Sequence, residues 1–388
     1  MPDGREPLTA RTLASIRDIA PEAWDALAGA DNPFVAHAFL ATLEDSGSAS
    51  AKTGWAPIHL VIEDSAGSAL AAAPLYLKHH SYGEYVFDHA WADAYGRAGG
   101  RYYPKLLCAI PFTPATGPRF LVPPTLDPAQ GEETRAVVAR ALAEIAARSG
   151  VSSLHVNFPG PDDARALQAA GYLPRVGVQY HWQNRGYTSF DDFLGALSSR
   201  KRKAIRKERA AVREAGVVLT ALTGATLREA HWDAFYSFYR DTTERKWGGG
   251  YLTREFFSLL GERMADRVVL VLAEHGGRPV AGALNLLGND TLYGRNWGCV
   301  ADFRFLHFEA CYYQAIDFAI ARGLARVEAG AQGEHKIQRG YLPEQTLSFH
   351  WIKDESFRAL LANHLERERA AAQMEMAQLA EFSPYRRD

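Results

Sequence analysis

The side chains best equipped for chemistry are concentrated in Glu328–Tyr341, a stretch reading EAGAQGEHKIQRGY. Gly330, Gly333 and Gly340 permit backbone conformations that a Cβ would penalise and let a ligand approach the chain closely. Glu328 stands where a strand should end. A carboxylate held partly desolvated there has its pKa raised towards neutrality, as a general base for an amine requires. His335 follows seven residues later, past two glycines, so the chain can fold back and bring its imidazole to the same cleft. An imidazole needs no large shift to serve near neutral pH. Lys336 and Arg339 suit the anionic part of a donor, and Gln332 adds a substrate-facing amide. His307 and Glu309, just upstream, are the alternative acid–base residues. The chemistry expected is group transfer through general base and electrostatic catalysis.

A second concentration lies in Ser198–Arg213. Arg200, Lys201, Arg202, Lys203, Arg206, Lys207, Arg209 and Arg213 face a single carboxylate, Glu208. Ser198 or Ser199 can cap a helix here, and Leu194, Leu197, Ile205 and Val212 give it a narrow apolar seam. Like charges at i and i+4, such as Arg202 with Arg206, weaken an isolated helix. A solvated linker has no use for that cost, so the run is read as a phosphate or polyanion contact. A third group is aromatic: Tyr82, Tyr85, Phe87, Trp91, Tyr95, Tyr102 and Tyr103, interleaved with Asp88 and Asp93. Asp88, Trp91 and Tyr95 are candidates for an acceptor wall. Arg295 and Trp297 are further substrate-binding candidates on a predicted strand.

The elements that must position these groups read as mixed α/β. Strands are expected at 59–63, 69–78, 106–110, 154–158 and 178–182, with helices at 134–148 and 162–170 and further helix before residue 60. The second half gives strands at 217–221, 267–273, 280–287, 291–297, 325–329 and 347–352. Its helices are expected at 229–245, 254–265, 309–321 and 356–382. Letters repeat between the halves. Gly171–Pro174, followed by Tyr180–Trp182, matches Gly340–Pro343, followed by Phe349–Trp351, at an offset of 169. Gly150 and Gly323, each after a helix, stand 173 apart, so the spacing between strand and turn changes by four residues. Aligned on those glycines, His155 falls on Glu328. A period this long indicates duplicated domains rather than a solenoid. The expected division is 1–185, a basic connecting helix at 186–216, and 217–388.

The 388 residues, 47% hydrophobic and 11% aromatic, suffice for two cores. A net charge of −2 confines any polyanion contact to a local patch and argues against DNA as a partner. Three cysteines fit reduced thiols better than a disulfide framework. No apolar leader is apparent and the longest apolar run, Ala69–Leu77, is interrupted by Pro74. A cytoplasmic protein without membrane insertion is expected. There is no HExxH, paired CxxC or EF-hand loop to hold a metal. No GxSxG elbow, P-loop or GxGxxG is present, which disfavours an elbow serine, nucleotide hydrolysis and hydride transfer.

Several long segments resemble the FemAB-like proteins of the GNAT superfamily, in the branch labelled peptidoglycan biosynthesis/recognition or predicted N-acyltransferase. They are Glu84–Asp88 with Trp91–Tyr95, Tyr102–Leu106, Pro111–Pro114, Ser189–Phe193, Ser198–Arg209, Leu306–Glu309 and Glu328–Pro343. The resemblance implies an α/β (α+β) fold of tandem GNAT-like domains, with mixed, mostly antiparallel sheets flanked by helices. It further implies acyl or aminoacyl transfer to a small-molecule amine. Acetyl-CoA enzymes hold the pyrophosphate with a glycine-rich loop after a meander strand. The corresponding segment here, Trp297–His307, has one glycine where two would be needed, and bulky aromatics. The favoured donor is therefore aminoacyl-tRNA, as in the Fem ligases, with acyl-CoA the alternative; either is a co-substrate rather than a tightly bound cofactor. A non-catalytic module that recognises a cell-wall precursor or RNA is the remaining alternative.

Overall fold

The computed structural model describes residues 8–247, 249–330 and 333–386. The chain divides into two compact units, residues 1–177 with 346–372, and residues 178–345 with 373–388.

The first unit contains strands β1 (Thr9–Leu13), β2 (Trp55–Pro57), β3 (His59–Glu63), β4 (Ala69–Ala73), β5 (Leu75–Lys78), β6 (Lys105–Cys108) and β7 (Ser153–Asn157). Its helices are α1 (Pro21–Ala28), α2 (His37–Asp45), α3 (His89–Arg97), α4 (Pro128–Arg148) and α5 (Pro161–Ala169). β1, β3 and β4 make a small antiparallel sheet. β2, β5, β6 and β7 follow one another in a second sheet, continued by Ser348–Ile352, antiparallel to β7. The run expected as one strand over 69–78 is two strands in different sheets. Pro74 lacks the N–H a ladder needs, so the chain changes sheets there. β1 falls in a region expected to be helical, and it exists by pairing with β3, Arg11 joining Glu63. α4 begins at Pro128 rather than residue 134. Asp127 caps it by accepting from the Gln130 N–H, and Pro128 costs nothing at the first turn. Val138, Leu142 and Ala146 of α4 close the core over Leu106, Leu154 and Val156.

In the second unit, the end of β8 (Leu173–Gln183) pairs with β13 (Arg326–Glu328), and β13 lies parallel to β12 (Thr291–Cys299). The meander then runs antiparallel through β11 (Arg278–Leu287), β10 (Val268–His275) and β9 (Val217–Leu222). Helices α6 (Phe190–Ala196) and α7 (Ser199–Glu214) precede β9, and α8 (Glu229–Trp247) and α9 (Arg254–Met264) lie between β9 and β10. After β12 comes a helix with three parts, α10 (Leu306–Phe308), a π-helical turn (Glu309–Tyr313) and α11 (Gln314–Ala321). A 3₁₀ helix, Glu334–Arg339, connects β13 to β14 (Leu342–Ile352), and α12 (Glu355–Glu381) ends the fold. Among the described residues no helix is long and apolar enough to cross a membrane.

The repeat is visible in three dimensions as two successions of helix, glycine, strand, helix, glycine and strand. Gly150 and Gly323 have φ of +68° and +65°, and Gly171 and Gly340 have +80° and +92°. Each is a left-handed stop that only glycine adopts cheaply. The final strands, β8 and β14, have eleven residues each. Between the glycines the second succession is four residues shorter: the nine-residue α5 gives way to a six-residue 3₁₀ helix, and Ala170, between α5 and Gly171, has no counterpart before Gly340. With rises of roughly 1.5 and 2.0 Å per residue the two helices have similar lengths, about 13 and 12 Å. The strand frame therefore survives the loss. Mixed, largely antiparallel sheets flanked by helices are as expected; the division differs. Strand 342–352 pairs through its second half with β7, so residues 346–372 belong with the first unit rather than the second.

Close packing in the second unit depends on Gly298, where a Cβ would stand 2.3 Å from the Phe238 carbonyl carbon on α8. Backbone cannot swing aside as a side chain can. Gly298→Ala is expected to cost about 1–3 kcal/mol in urea denaturation. Gly195→Ala, at a position with nothing within 4 Å, should leave stability unchanged or slightly higher.

Candidate active site

β12 and β13 pair through only three residues each, ending at Tyr293↔Glu328. Beyond that point β12 stays with β11 as far as Cys299, while the other chain turns off through Gly330 and Gly333, at φ +78° and +108°. The parallel pair thus opens into a fork with Glu328 at its base. On β12, Gly294 lies opposite Asn285 and Asn296 opposite Leu284, which makes Arg295 the extra residue of a β-bulge. Bulges of this kind re-aim side chains beside functional sites.

The three-part helix supplies one side of the site. Phe305 enters it in a left-handed conformation, φ +67°, and the π turn then adds a residue to the winding. His307 packs between Trp297 and Tyr312, both 5.3 Å away by ring centroids. The His335 ring lies 6.1 Å from His307 and 5.7 Å from Phe308, and its Nε2 is hydrogen-bonded to the Tyr312 hydroxyl at 2.9 Å. Partial burial and the charges of Arg339 and Lys336 push the pKa of His335 below its usual value, which keeps the imidazole neutral near pH 7. Its side chain remains exposed.

Lys336 is placed differently from an anion hook on a surface. It is 4% exposed, and its Nζ donates to the carbonyls of Ala329 at 2.6 Å and Gly330 at 3.2 Å. Burial brings its pKa down to about 8. Arg339 is also buried, with Nη2 on Glu208 at 2.9 Å, Nη1 on the His335 carbonyl at 2.8 Å, and its guanidinium 3.4 Å above the Phe308 ring. It therefore organises the site and has little left to offer a donor. Glu328 is 3% exposed, with Arg326 at 3.8 Å and His181 at 3.9 Å. His181 is pushed down to about 3, by burial first and then by Arg326 and Lys336, so it stays neutral. Gln332 lies outside the described residues.

The basic helix α7 is fastened to the same elements. Glu208 accepts from Arg339 and from the Tyr313 hydroxyl. The adjacent Arg209 grips Glu309 at 2.9 Å and Asp317 at 2.6 Å. Glu309, expected as an alternative acid–base group, thus has its oxygens occupied by Arg209 and Gln314. Arg209, expected to bind phosphate, is spent in the same pair. Arg206 joins Asp191 at the surface. Arg200, Lys203 and Lys207 are exposed, while Lys201 and Arg202 are half-buried. Ser198 occupies the cap position but starts the helix through its carbonyl, which accepts from the Arg202 N–H, rather than through its hydroxyl.

Asp88, Trp91 and Tyr95 belong to the first unit, and two of them are buried there. Asp88 accepts from Lys105 Nζ at 2.5 Å and from the Tyr102 hydroxyl at 2.7 Å, inside a network that includes Glu84, Ser81 and His155. Trp91 lies edge-on to His350 at 4.8 Å and beneath Arg175 at 5.0 Å. Tyr95 packs on Phe357 and covers Gly100. As an acceptor wall, Asp88 and Trp91 are unsuited by burial. Sequence reading missed Tyr312, whose hydroxyl meets His335, and Glu208, dismissed as a lone acid in a basic run. The signal available was the contrast itself, since a single acid among eight cations had to face something positive.

Among the described residues no group of three or more His, Cys, Asp or Glu side chains is placed to hold a metal, and the three cysteines are free. The parallel pair of β12 and β13 thus forks inside a meander and is followed by a helix bearing imidazole and aromatic groups. By sequence the chain belongs to the FemAB-like family, described as peptidoglycan biosynthesis/recognition, which it matches over residues 15–387. No curated protein matches it by sequence. The fold is similar to that of FemX, at 13% identity and a TM-score of 0.55, over 89% of this chain and 98% of that one. It is similar also to that of L-PGS from Bacillus licheniformis, at 11% identity and a TM-score of 0.51, over 88% and 98% of the two chains.

Two measurements check this description. Arg209→Ala strands the buried Glu309 carboxylate and should destabilise towards the lower end of about 3–5 kcal/mol, since Arg209 keeps some solvent contact. Lys203→Ala and Lys207→Ala should stay within about 0.5 kcal/mol. For Lys336, a folded pKa of about 8 lies below the ordinary 10.5. The unfolded chain therefore holds more protons across that window, and stability gains from Lys336 as pH rises from about 8 to 10.5. Subtracting the Lys336→Met stability–pH profile from that of wild type should leave that rising limb; a flat difference would contradict the burial of an uncompensated ammonium.

Proposed function

We propose that the second unit transfers an aminoacyl group from tRNA to an amine acceptor at the fork between β12 and β13. The observation that carries this reading is the attachment of α7. The helix with the densest cation run in the chain is fixed by Glu208 and Arg209 to the two elements that bear Arg339 and Glu309. Its exposed Arg200, Lys203 and Lys207 thus present a polyanion contact at a fixed reach from His335 and Lys336. A small acyl donor would need no such helix, whereas an RNA backbone is held by it.

In this reading neutral His335 takes the proton as the acceptor nitrogen attacks the ester carbonyl of the aminoacyl group. Lys336, when protonated, stabilises the oxyanion from a low-dielectric position, where such a charge acts most strongly. The tetrahedral intermediate then collapses with breakage of the C–O ester bond, and the ribose hydroxyl leaves with a proton returned from the imidazole. Glu328 at the base of the fork, near Arg326 and His181, fixes the charge pattern from below rather than meeting solvent directly. The acceptor follows the family description, a peptidoglycan precursor amine. The site of action is the cytoplasm, where charged tRNA is found.

The test is transfer from a labelled aminoacyl-tRNA pool to muropeptide amines, run beside a panel of acyl-CoA esters. His335→Ala should lower kcat by roughly 10²-fold or more, the usual range for general acid–base catalysis. Replacing Arg200, Lys203 and Lys207 by alanine should raise KM for tRNA and flatten its salt dependence while leaving kcat nearly unchanged. Turnover with acyl-CoA and none with tRNA would overturn the donor assignment. Full activity in His335→Ala would overturn the base.

A further inference from the structure

Residues 382–386, which follow α12, lie on the second unit and join two of the elements that form its site. On one side they pair with the start of α7. Tyr385 forms an isolated antiparallel bridge with Leu197, the Ser198 N–H donates to the Pro384 carbonyl at 2.9 Å, and the Arg386 N–H donates to that of Ala196 at 3.0 Å. Arg386 Nε adds a bond to the Leu197 carbonyl at 3.3 Å. On the other side they meet the end of the 3₁₀ helix. The Tyr385 hydroxyl donates to the Gly340 carbonyl at 3.0 Å, and Gln338 Nε2 to that of Phe382 at 3.4 Å. The Tyr385 ring is clamped in turn, with the Arg185 guanidinium 4.4 Å from its centroid and Phe193 edge-on at 6.4 Å. Burial raises the pKa of its hydroxyl, which therefore keeps its proton and stays a donor.

The start of α7 needs such an anchor. Four of its first five residues, Arg200, Lys201, Arg202 and Lys203, are cations at the positive pole of the helix dipole, and its first turn holds no acid. Ser198 makes no side-chain cap bond. Glu208 and Arg209 fasten α7 only from roughly 15 Å further along, too far to keep this turn from fraying. We propose that Tyr385 is a positioning residue, which holds the cationic first turn of α7 and the Gly340 end of the 3₁₀ helix in one fixed relation. The main-chain bridge reaches α7 alone. The hydroxyl carries the tie across to the helix that bears His335 and Lys336. The kinetic consequence rests on the transfer reading proposed above, whereas the tie itself stands on contacts within the second unit.

Hydrogen exchange of the full chain, followed by mass spectrometry, compares wild type with Tyr385→Phe and Tyr385→Ala. Tyr385→Phe keeps the ring and the bridge, so amides of residues 336–341 are expected to exchange about fivefold faster, the worth of one hydrogen bond, with 196–203 unchanged. Tyr385→Ala should speed both segments about tenfold or more and leave β10 and β11 as in wild type. With aminoacyl-tRNA as donor, Tyr385→Ala should raise KM and lower kcat together, whereas Tyr385→Phe should restore KM and leave kcat reduced. Unchanged exchange at 336–341 in both variants, or acceleration that spreads equally through β10 and β11, would overturn the assignment. The second of these marks a residue that only stabilises the fold. A kcat unaffected by either substitution in an active enzyme would overturn it as well. No transfer by wild type would overturn the function proposed above, and the exchange pattern would still decide the role of Tyr385.

Discussion

Glu208 and Arg209 are neighbours in the chain with opposite charges, and each reaches a different element. One holds the 3₁₀ helix through Arg339, the other the π turn through Glu309. Withdrawing four charges from water is costly, and their attraction repays it only if geometry and hydrogen bonding are nearly complete. That requirement fixes three elements at once. With α7, the π turn and the 3₁₀ helix locked together, His335 meets Tyr312, Arg339 stacks on Phe308, and Lys336 is pressed against its carbonyls. None of these contacts would hold if the helices could slide independently.

The duplicated frame has been filled with different chemistry in its two halves. The register that pairs Glu328 with His181 pairs His155 with His350 in the first unit, where the two Nδ1 atoms approach to 2.6 Å. Burial and surrounding positive charge keep both of these histidines well below their usual pKa, so one neutral ring donates to the other. In the first unit the central position is sealed under Trp91. In the second, β12 and β13 diverge beside it. A common backbone thus yields an enclosed polar core in one place and an open fork in the other, depending on whether the following segment is a full α-helix or a tighter 3₁₀ turn.

Much of this was legible in the letters. The repeat showed itself through Gly171 and Gly340 because a left-handed helix stop leaves a residue-type signature, and the meander showed itself through alternation and turn glycines. The forked segment stood out because glycines bracket it. What escaped was fixed by pairing at long range. β1 has no strong pattern of its own and becomes a strand only against β3. Asp88, read from the sequence as part of an acceptor wall, is instead enclosed by Lys105 and Tyr102. The roles of Arg209, Arg339 and Glu309 were misjudged for one reason. Charge in a sequence does not reveal whether its partner is solvent, ligand or another side chain.

The placement of the last strand in the first unit has a consequence for the protein's synthesis. The sheet of the first unit is completed by Ser348–Ile352, made nearly two hundred residues after β7. A ribosome releasing the chain from its N-terminus therefore exposes β7 with one edge unpaired until almost the whole sequence has emerged. Unpaired edges invite association with other chains, and domains that fold one after another during synthesis normally avoid leaving them. This protein cannot finish its first unit before most of its second has been translated. Translation speed through the second half, and chaperones that cover the waiting edge, thereby become determinants of its yield in the cell.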